Sequence, residues 1–311
     1  MKKKIMSILL LVMILFSTAC TKYVKEDNKT VTYETTGQML TSNILCKPVN
    51  EELYNFYNEH NDSLETKLEN LPTCQDFKPN DLGYKSLWET ILIKPIAWLI
   101  LKLGQLVGNY GISVMIMSLI IRALMIPLSK KSMSQSENMK KAQPEIAKIE
   151  KKYANKNDNE SMMAKSQETM MVYKKYNINP VSGCLTAFIQ LPLFFAFLEA
   201  INRVPAIFEG ELFGMNLGMT PLVGLSHSNY IYIALIILII VSTYISFKFS
   251  MSSQTDSGAA GQMKFMMMFM LIMISVASLS LPTAIALYWV VNNLFAIIQN
   301  MIIKKSSERR K

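Results

Sequence analysis

The chain has 311 residues, 50% of them hydrophobic and 18% charged, with a formal net charge of +9. Several apolar runs approach the roughly 20 residues that cross a bilayer as a helix. A single soluble core is thereby excluded, and where the Lys and Arg fall matters more than their sum. The four cysteines form no CxxC pair and the two histidines lie far apart. There is no HExxH zinc motif, no Walker-type phosphate loop and no GxSxG elbow, so the sequence implies no metal, no cofactor and no catalytic residue.

Residues 1–19 read as an export signal. Lys2, Lys3 and Lys4 precede a short apolar stretch, and Ser17, Thr18 and Ala19 supply small residues ahead of Cys20. The pattern resembles a bacterial lipoprotein signal, with Ser17 where such signals usually carry Leu. It implies a diacylated, palmitate-bearing Cys20 as the new N-terminus, anchored in lipid on the outer side. Residues 20–86 follow as a polar, acidic extracytoplasmic region. Leu53, Phe56, Tyr57, Leu64, Leu68 and Leu71 predict one or two short amphipathic helices there. Cys46 and Cys74 both lie in this region, and the sequence leaves open whether they pair or stay as thiols.

Residues 87–109 are almost long enough to span. Yet Lys94, Trp98, Lys102 and Gln105 recur at helical spacing on one face, which predicts an external amphipathic helix lying in the interface. The first span is then 110–128, running inward, with Pro127 at its inner end. Residues 129–180 carry eleven Lys against six Asp and Glu, so the positive-inside rule makes them cytoplasmic. Met139, Ala142, Ile146, Ile149 and Tyr153 form one helical stripe, and Met163, Met170 and Tyr173 a second, across an asparagine-rich break. An antiparallel helical hairpin results, the stripe being its own seam, with Pro144 bending or interrupting the first arm.

The second span, 181–202, runs outward with Gln190 in its middle. Glu199 and Arg203, at i and i+4, read as an interfacial pair. A loop at 203–229 leads to an inward span at 230–248, a cytoplasmic loop at 249–264, a Met-rich outward span at 265–281, an inward span at 283–303 and a basic cytoplasmic tail at 304–311. The chain is thus expected to be an all-α integral membrane protein with five transmembrane helices.

Arg122 stands inside the first span, where insertion scales put an arginine at a cost of roughly 2.5–3.5 kcal/mol. Helix side chains tilt toward the N-terminus, which here aims Arg122 into the membrane, with Ser118 one turn earlier on the same face. The sequence offers no mid-span Asp or Glu beside it. Ser118, Gln190, Ser242, Thr243, Ser246, Trp289 and Asn293 are the candidate linings of a water-filled polar cavity around Arg122. Taken singly, each also suits an ordinary bond between helices.

IIRALMIPLSKKSMSQSENMKKAQPEI, YKKYNINPVSGCLTAFIQLPLFFAF, QMKFMMMFM and ALYWVVNNLFAIIQN together resemble the YidC/Oxa-type membrane protein insertases, over about residues 87–303. The resemblance implies a groove open to cytoplasm and lipid and closed to the outside. It places the groove arginine at Arg122, its polar neighbour at Ser118, the last-span aromatic at Trp289 and the QxP glutamine at Gln190. With the lipoprotein signal and five spans, the chain is similar to the Gram-positive form, which resides in the bacterial cytoplasmic membrane. Nascent membrane proteins are then the expected substrates of a monomer that works alone or with the Sec translocon. Ribosome contact through the basic tail and the hairpin is also expected. The competing reading is an anion or solute transporter using Arg122 as a substrate site. It calls for repeats and broken helices, which the sequence does not display.

Overall fold

The computed structural model describes residues 21–156, 158–251 and 259–308. The expected signal, Cys20, the middle of the polar loop at 252–258 and the last residues of the tail lie outside the described residues. The chain divides into two compact units, one of residues 1–119, 191–239 and 277–291, the other of residues 120–190, 240–276 and 292–311.

The first unit opens with a small packed lobe. Two antiparallel pairs, β1 (Lys25–Glu26) with β2 (Lys29–Thr30) and β3 (Thr32–Tyr33) with β4 (Gln38–Met39), precede helix α1 (Glu51–Glu59). Asn50 caps α1, its Oδ1 accepting from Leu53 N at 3.0 Å. Val24, Tyr33, Leu40, Ile44, Leu53, Tyr57, Leu64, Leu68 and Leu71 form the core. The expected amphipathic helices therefore reduce to α1 and single 3-10 turns at Asn61–Ser63 and Leu68–Asn70. Asn61, Asp62 and Ser63 favour turns over helix. A disulfide joins Cys46 to Cys74, with Cα atoms 4.8 Å apart, and Lys47 bridges Thr73 beside it.

A π-helical stretch, Glu89–Ile93, runs into α2 (Lys94–Val107), which ends at Gly108 with φ +71°. The polar face of α2 is only partly covered by the lobe: Lys94, at its start, is enclosed, while Lys102 and Gln105 stay exposed. Lys94 is fully buried and its Nζ donates to Asp81 O at 2.8 Å and Gly83 O at 2.6 Å. Lys102 Nζ and Gln105 Nε2 both donate to Gln75 O, at 3.2 and 3.1 Å. The chain then turns back so closely that a Cβ on Gly104 would meet the Tyr110 ring at 2.2 Å.

Helix α3 (Tyr110–Leu124) follows, and α4 (Ile126–Lys152) begins after a break at Met125. The expected first span at 110–128 is thus interrupted before its end. Pro127 has no N–H for the carbonyl of Ala123 and its ring crowds that turn. Met125 N shares the carbonyls of Ile121 and Arg122, at 3.1 and 3.2 Å. Pro144, expected to bend or interrupt the hairpin's first arm, lies within the continuous α4. It is on the exposed side, where the carbonyl it frees can meet solvent.

In the second unit α4 packs antiparallel on α5 (Asn159–Lys175). Ala142, Ile146 and Ile149 meet Val172 and Ile178, flanked by Met139, Tyr153, Tyr173 and Tyr176. Met163 and Met170, expected on this seam, are exposed instead; Val172 and Ile178 take their place.

Helices α6 (Pro180–Asn202), α7 (Ile231–Met251), α8 (Ala259–Ser280) and α9 (Thr283–Glu308) complete the chain. Among the described residues, Glu89–Val107, Ile231–Phe249 and Thr283–Ile302 are long and apolar enough to cross a membrane by length and composition. Tyr110–Leu124, Pro192–Asn202 and Met267–Ser280 are apolar but shorter. Between α6 and α7, β5 (Glu211–Leu212) pairs with β6 (Met215–Asn216) through a two-residue turn. Phe213 and Gly214 there have φ of +54° and +74°, the pattern of a type I′ turn. The left-handed conformation costs a non-glycine residue about 1–2 kcal/mol.

Candidate functional site

Arg122 sits half-buried in the last turn of α3. Its Nε donates to Asn292 Oδ1 at 2.6 Å, across 170 residues of sequence. The polar surroundings expected for Arg122 thus include a residue outside the candidate linings, Asn292. It is a neutral amide on α9, adjacent to the expected Asn293.

The next residue of α9, Asn293, serves other neighbours. Its Nδ2 donates to Thr243 Oγ1 at 2.8 Å, with Ser242 Oγ at 3.4 Å, both on α7. Adjacent residues on a helix point about 100° apart, so Asn292 and Asn293 reach two different helices. Ser242, Thr243 and Asn292 are buried, and Ser246, one turn on, is buried as well. Gln190 is half-buried in the same unit.

Two expected members, Ser118 and Trp289, belong to the first unit. Ser118 is fully buried and turns its Oγ back to Val114 O at 2.7 Å. Trp289 is half-buried and stands edge-on to Phe194, with ring centroids 5.5 Å apart, while Tyr288 stacks on Phe197 at 4.2 Å. Buried polar groups of this kind are costly among apolar helices unless they are bonded. The bonds among Arg122, Asn292, Asn293, Thr243 and Ser242 meet that demand within one unit.

Sequence reasoning missed two things. Asn292 was passed over for its neighbour, although two consecutive asparagines on an apolar helix already signalled two polar faces. The second is a buried charged cluster in the first unit. Glu199 and Arg203 do pair, and both are buried, Arg203 at 1% exposure. Arg203 Nη1 lies 2.9 Å from Glu89 Oε2 and 3.3 Å from Glu199 Oε1, and its Nε donates to Asn43 O at 2.6 Å. Trp88 Nε1 donates to Glu199 Oε2 at 3.0 Å, and Lys94 Nζ stands 3.5 Å from Glu89 Oε1. Two cations and two carboxylates thus join lobe, α2 and α6. The lobe's peptide groups supply most of the remaining bonds, which is why helical spacing alone revealed only the i, i+4 pair. Among the described residues no group of His, Cys, Asp and Glu is arranged to hold a metal ion.

Residues 102–310 match the model of the 60Kd inner membrane protein family. The chain is 35% identical to the membrane protein insertase YidC of Oceanobacillus iheyensis over 75% of its own length and 88% of that protein's. It is 35% identical to the membrane protein insertase MisCA of Bacillus subtilis over 75% of its own length and 86% of that protein's. With most of its length matched in this way and its apolar helices, the chain is a multi-pass membrane protein of the 60Kd inner membrane protein family, the YidC/Oxa1-type insertases, which are not enzymes.

Proposed function

We propose that this protein is a membrane protein insertase of the bacterial cytoplasmic membrane. It would integrate newly made membrane proteins, and help them fold, through a hydrophilic groove centred on Arg122 and open to the cytoplasm and to lipid. The observation that carries the reading is the bonding of Arg122 to Asn292 in a chain of this family. Asn292 is a neutral amide, so it leaves the guanidinium charge unneutralised, whereas a carboxylate adds an opposite charge and can accept two parallel bonds from the guanidinium. An acidic or polar flank of an entering segment can exchange for the amide, hold briefly, and leave. Ser242, Thr243, Ser246, Asn293, Gln190, Ser118 and Trp289 complete the groove in this reading.

No bond is made or broken. The segment moves into lipid because each central Leu or Ile favours the bilayer by roughly 0.3–0.6 kcal/mol. Five spans at 110–128, 181–202, 230–248, 265–281 and 283–303 would put the hairpin and basic tail in the cytoplasm. There they would receive substrate and touch a ribosome. The lobe would lie outside, with Cys20 as its lipid anchor and 87–109 at the interface. Cooperation with the Sec translocon and action as a monomer belong to the same proposal.

Depletion of the protein in cells carrying an insertion reporter for a small membrane protein tests it. Insertion is expected to fail on depletion and to return with wild type and with Arg122→Lys, and only weakly with Arg122→Ala. Normal insertion in depleted cells would sink the reading; full rescue by Arg122→Ala across several substrates would remove Arg122 from its centre.

A further inference from the structure

The β5–β6 turn carries a residue that its backbone does not favour. Type I′ turns take Asn, Asp or Gly at the first position, because both central residues adopt positive φ. Here that position is Phe213, with φ +54° and 68% of its surface exposed. Its strand neighbours Leu212 and Met215 are buried. Leu212 seats against Gly111 in the first turn of α3, where a Cβ would come within 2.9 Å of Leu212 Cδ2. The hairpin therefore has an inner face that packs and a tip that does not.

The height of the tip is set by two asparagines. Asn109 Nδ2 donates to Glu211 O at 2.9 Å, and Asn229 Nδ2 donates to Gly214 O at 3.1 Å. Asn109 immediately precedes α3 and Asn229 stands two residues before α7. Both helices are apolar, so with α3 and α7 placed in a bilayer these asparagines would mark the level at which the chain leaves hydrocarbon. Their neighbours are exposed apolar residues: Leu106 at 81% and Tyr230 at 72%. Aromatic residues concentrate at that depth in membrane proteins.

We propose that Phe213 is a lipid anchor: the hairpin tip enters the boundary between headgroups and acyl chains of the adjacent leaflet, beside the first turns of α3 and α7. Outside a membrane an asparagine would serve this turn better; in the boundary, the phenyl ring gains from burial what the backbone loses. The anchor would fix the tilt of α3, the helix that carries Arg122, relative to the lipid surface. The inference rests on the membrane placement of α3 and α7, not on insertase activity.

The test uses the full chain reconstituted in phosphatidylcholine–phosphatidylglycerol vesicles that contain a phospholipid with a diazirine near the glycerol end of one acyl chain. After illumination, adducts are mapped by peptide mass spectrometry. Adducts are expected on the 211–216 peptide and on peptides from α3 and α7. In Phe213→Asn, which the turn accepts, the hairpin adduct should fall by about fivefold or more while the helix adducts persist. Helix adducts without a hairpin adduct would overturn the anchor alone. Equal hairpin labelling in Phe213→Asn would overturn the role of the ring. An absence of adducts on all three peptides would overturn the membrane placement as well.

Discussion

Arg203 and Glu89 lie 114 residues apart in the chain and meet at 2.9 Å in a site from which water is excluded. Burying a charge is costly unless it is paired and hydrogen-bonded. Here both conditions are met, by Glu89 and Glu199 as counter-ions and by Asn43 O as an added acceptor. Removing Arg203 alone leaves two buried carboxylates facing one lysine. Arg203→Met is expected to destabilise the protein by about 3–5 kcal/mol, read as a lower midpoint of thermal unfolding in detergent. Adding Glu199→Gln and Glu89→Gln to that variant should recover part of the loss, since fewer charges are then stranded. A loss in Arg203→Met no larger than that of an exposed lysine substitution would show that the cluster is not closed to water.

The Arg122–Asn292 bond makes a different demand. Hydrogen bonds to charged groups contribute about 1.5–3 kcal/mol, and the two residues stand on α3 and α9. Asn292→Leu should lower stability by an amount in that range. In a double-mutant cycle, Arg122→Ala and Asn292→Leu should couple by about 0.5–3 kcal/mol. The companion Asn293→Leu should show no coupling to Arg122, because its amide serves Thr243 and Ser242. Coupling of Arg122 to Asn293 in place of Asn292 would contradict the arrangement described.

Much of this was legible in the sequence for a physical reason. The stripe of Met139, Ala142, Ile146, Ile149 and Tyr153 follows helical periodicity, and those residues line the hairpin seam. Apolar length likewise announced the long helices. The contacts that escaped are those made with irregular backbone. Lys94, Lys102 and Gln105 share a helix face, as the spacing predicts, but its first residue is enclosed by the loop carbonyls of Asp81 and Gly83, and the exposed Lys102 and Gln105 both reach Gln75 O. A loop carbonyl has no sequence signature, so a face covered by protein and a face turned to headgroups read alike. The choice between Asn292 and Asn293 failed similarly, because it depends on helix rotation.

The disulfide stands between the two segments that make those contacts. Residues 43 and 45 bond Arg203 just before Cys46, and Gln75 bonds α2 just after Cys74. Replacing both cysteines by serine is expected to cost about 2–4 kcal/mol and to speed proteolysis within residues 43–86 of the full chain. Because both sulfur-bearing residues are buried, alkylation at Cys46 or Cys74 of the wild type, mapped by peptide mass spectrometry, should require unfolding as well as a reductant. Alkylation at Cys46 or Cys74 of the native protein without reductant would contradict the pairing.

The hairpin supplies a pH dependence. Hydrogen bonds from Lys175 and then Tyr176 hold the Glu145 carboxyl below its ordinary range; Lys152 and then Tyr153 do the same for Glu168. A carboxylate with a depressed folded pKa binds fewer protons in the native state than in the unfolded state. Its contribution is therefore complete above the unfolded value of about 4.3 and is lost as pH falls through the depressed folded value. Amide exchange across residues 142–178, corrected for intrinsic rates, should show protection that is level near neutrality and declines below about pH 4.5. Glu145→Gln with Glu168→Gln should flatten that decline. A decline that survives both substitutions would place its origin elsewhere.

The grip on Arg203 also sets an order of events during synthesis. Asn43 and Leu45, which hold the side chain and backbone of that arginine, are made 160 and 158 residues before it. In the interval the ribosome produces α2, α3 and both arms of the hairpin. For all that time the lobe presents peptide groups shaped for a residue that does not yet exist, and Glu89 waits without one of its cations. The lobe can bond α2 early, but its bonds to Arg203 can close only after α6 has arrived, so a protein proposed to place other chains in the membrane must first finish placing its own from the far end of a long delay.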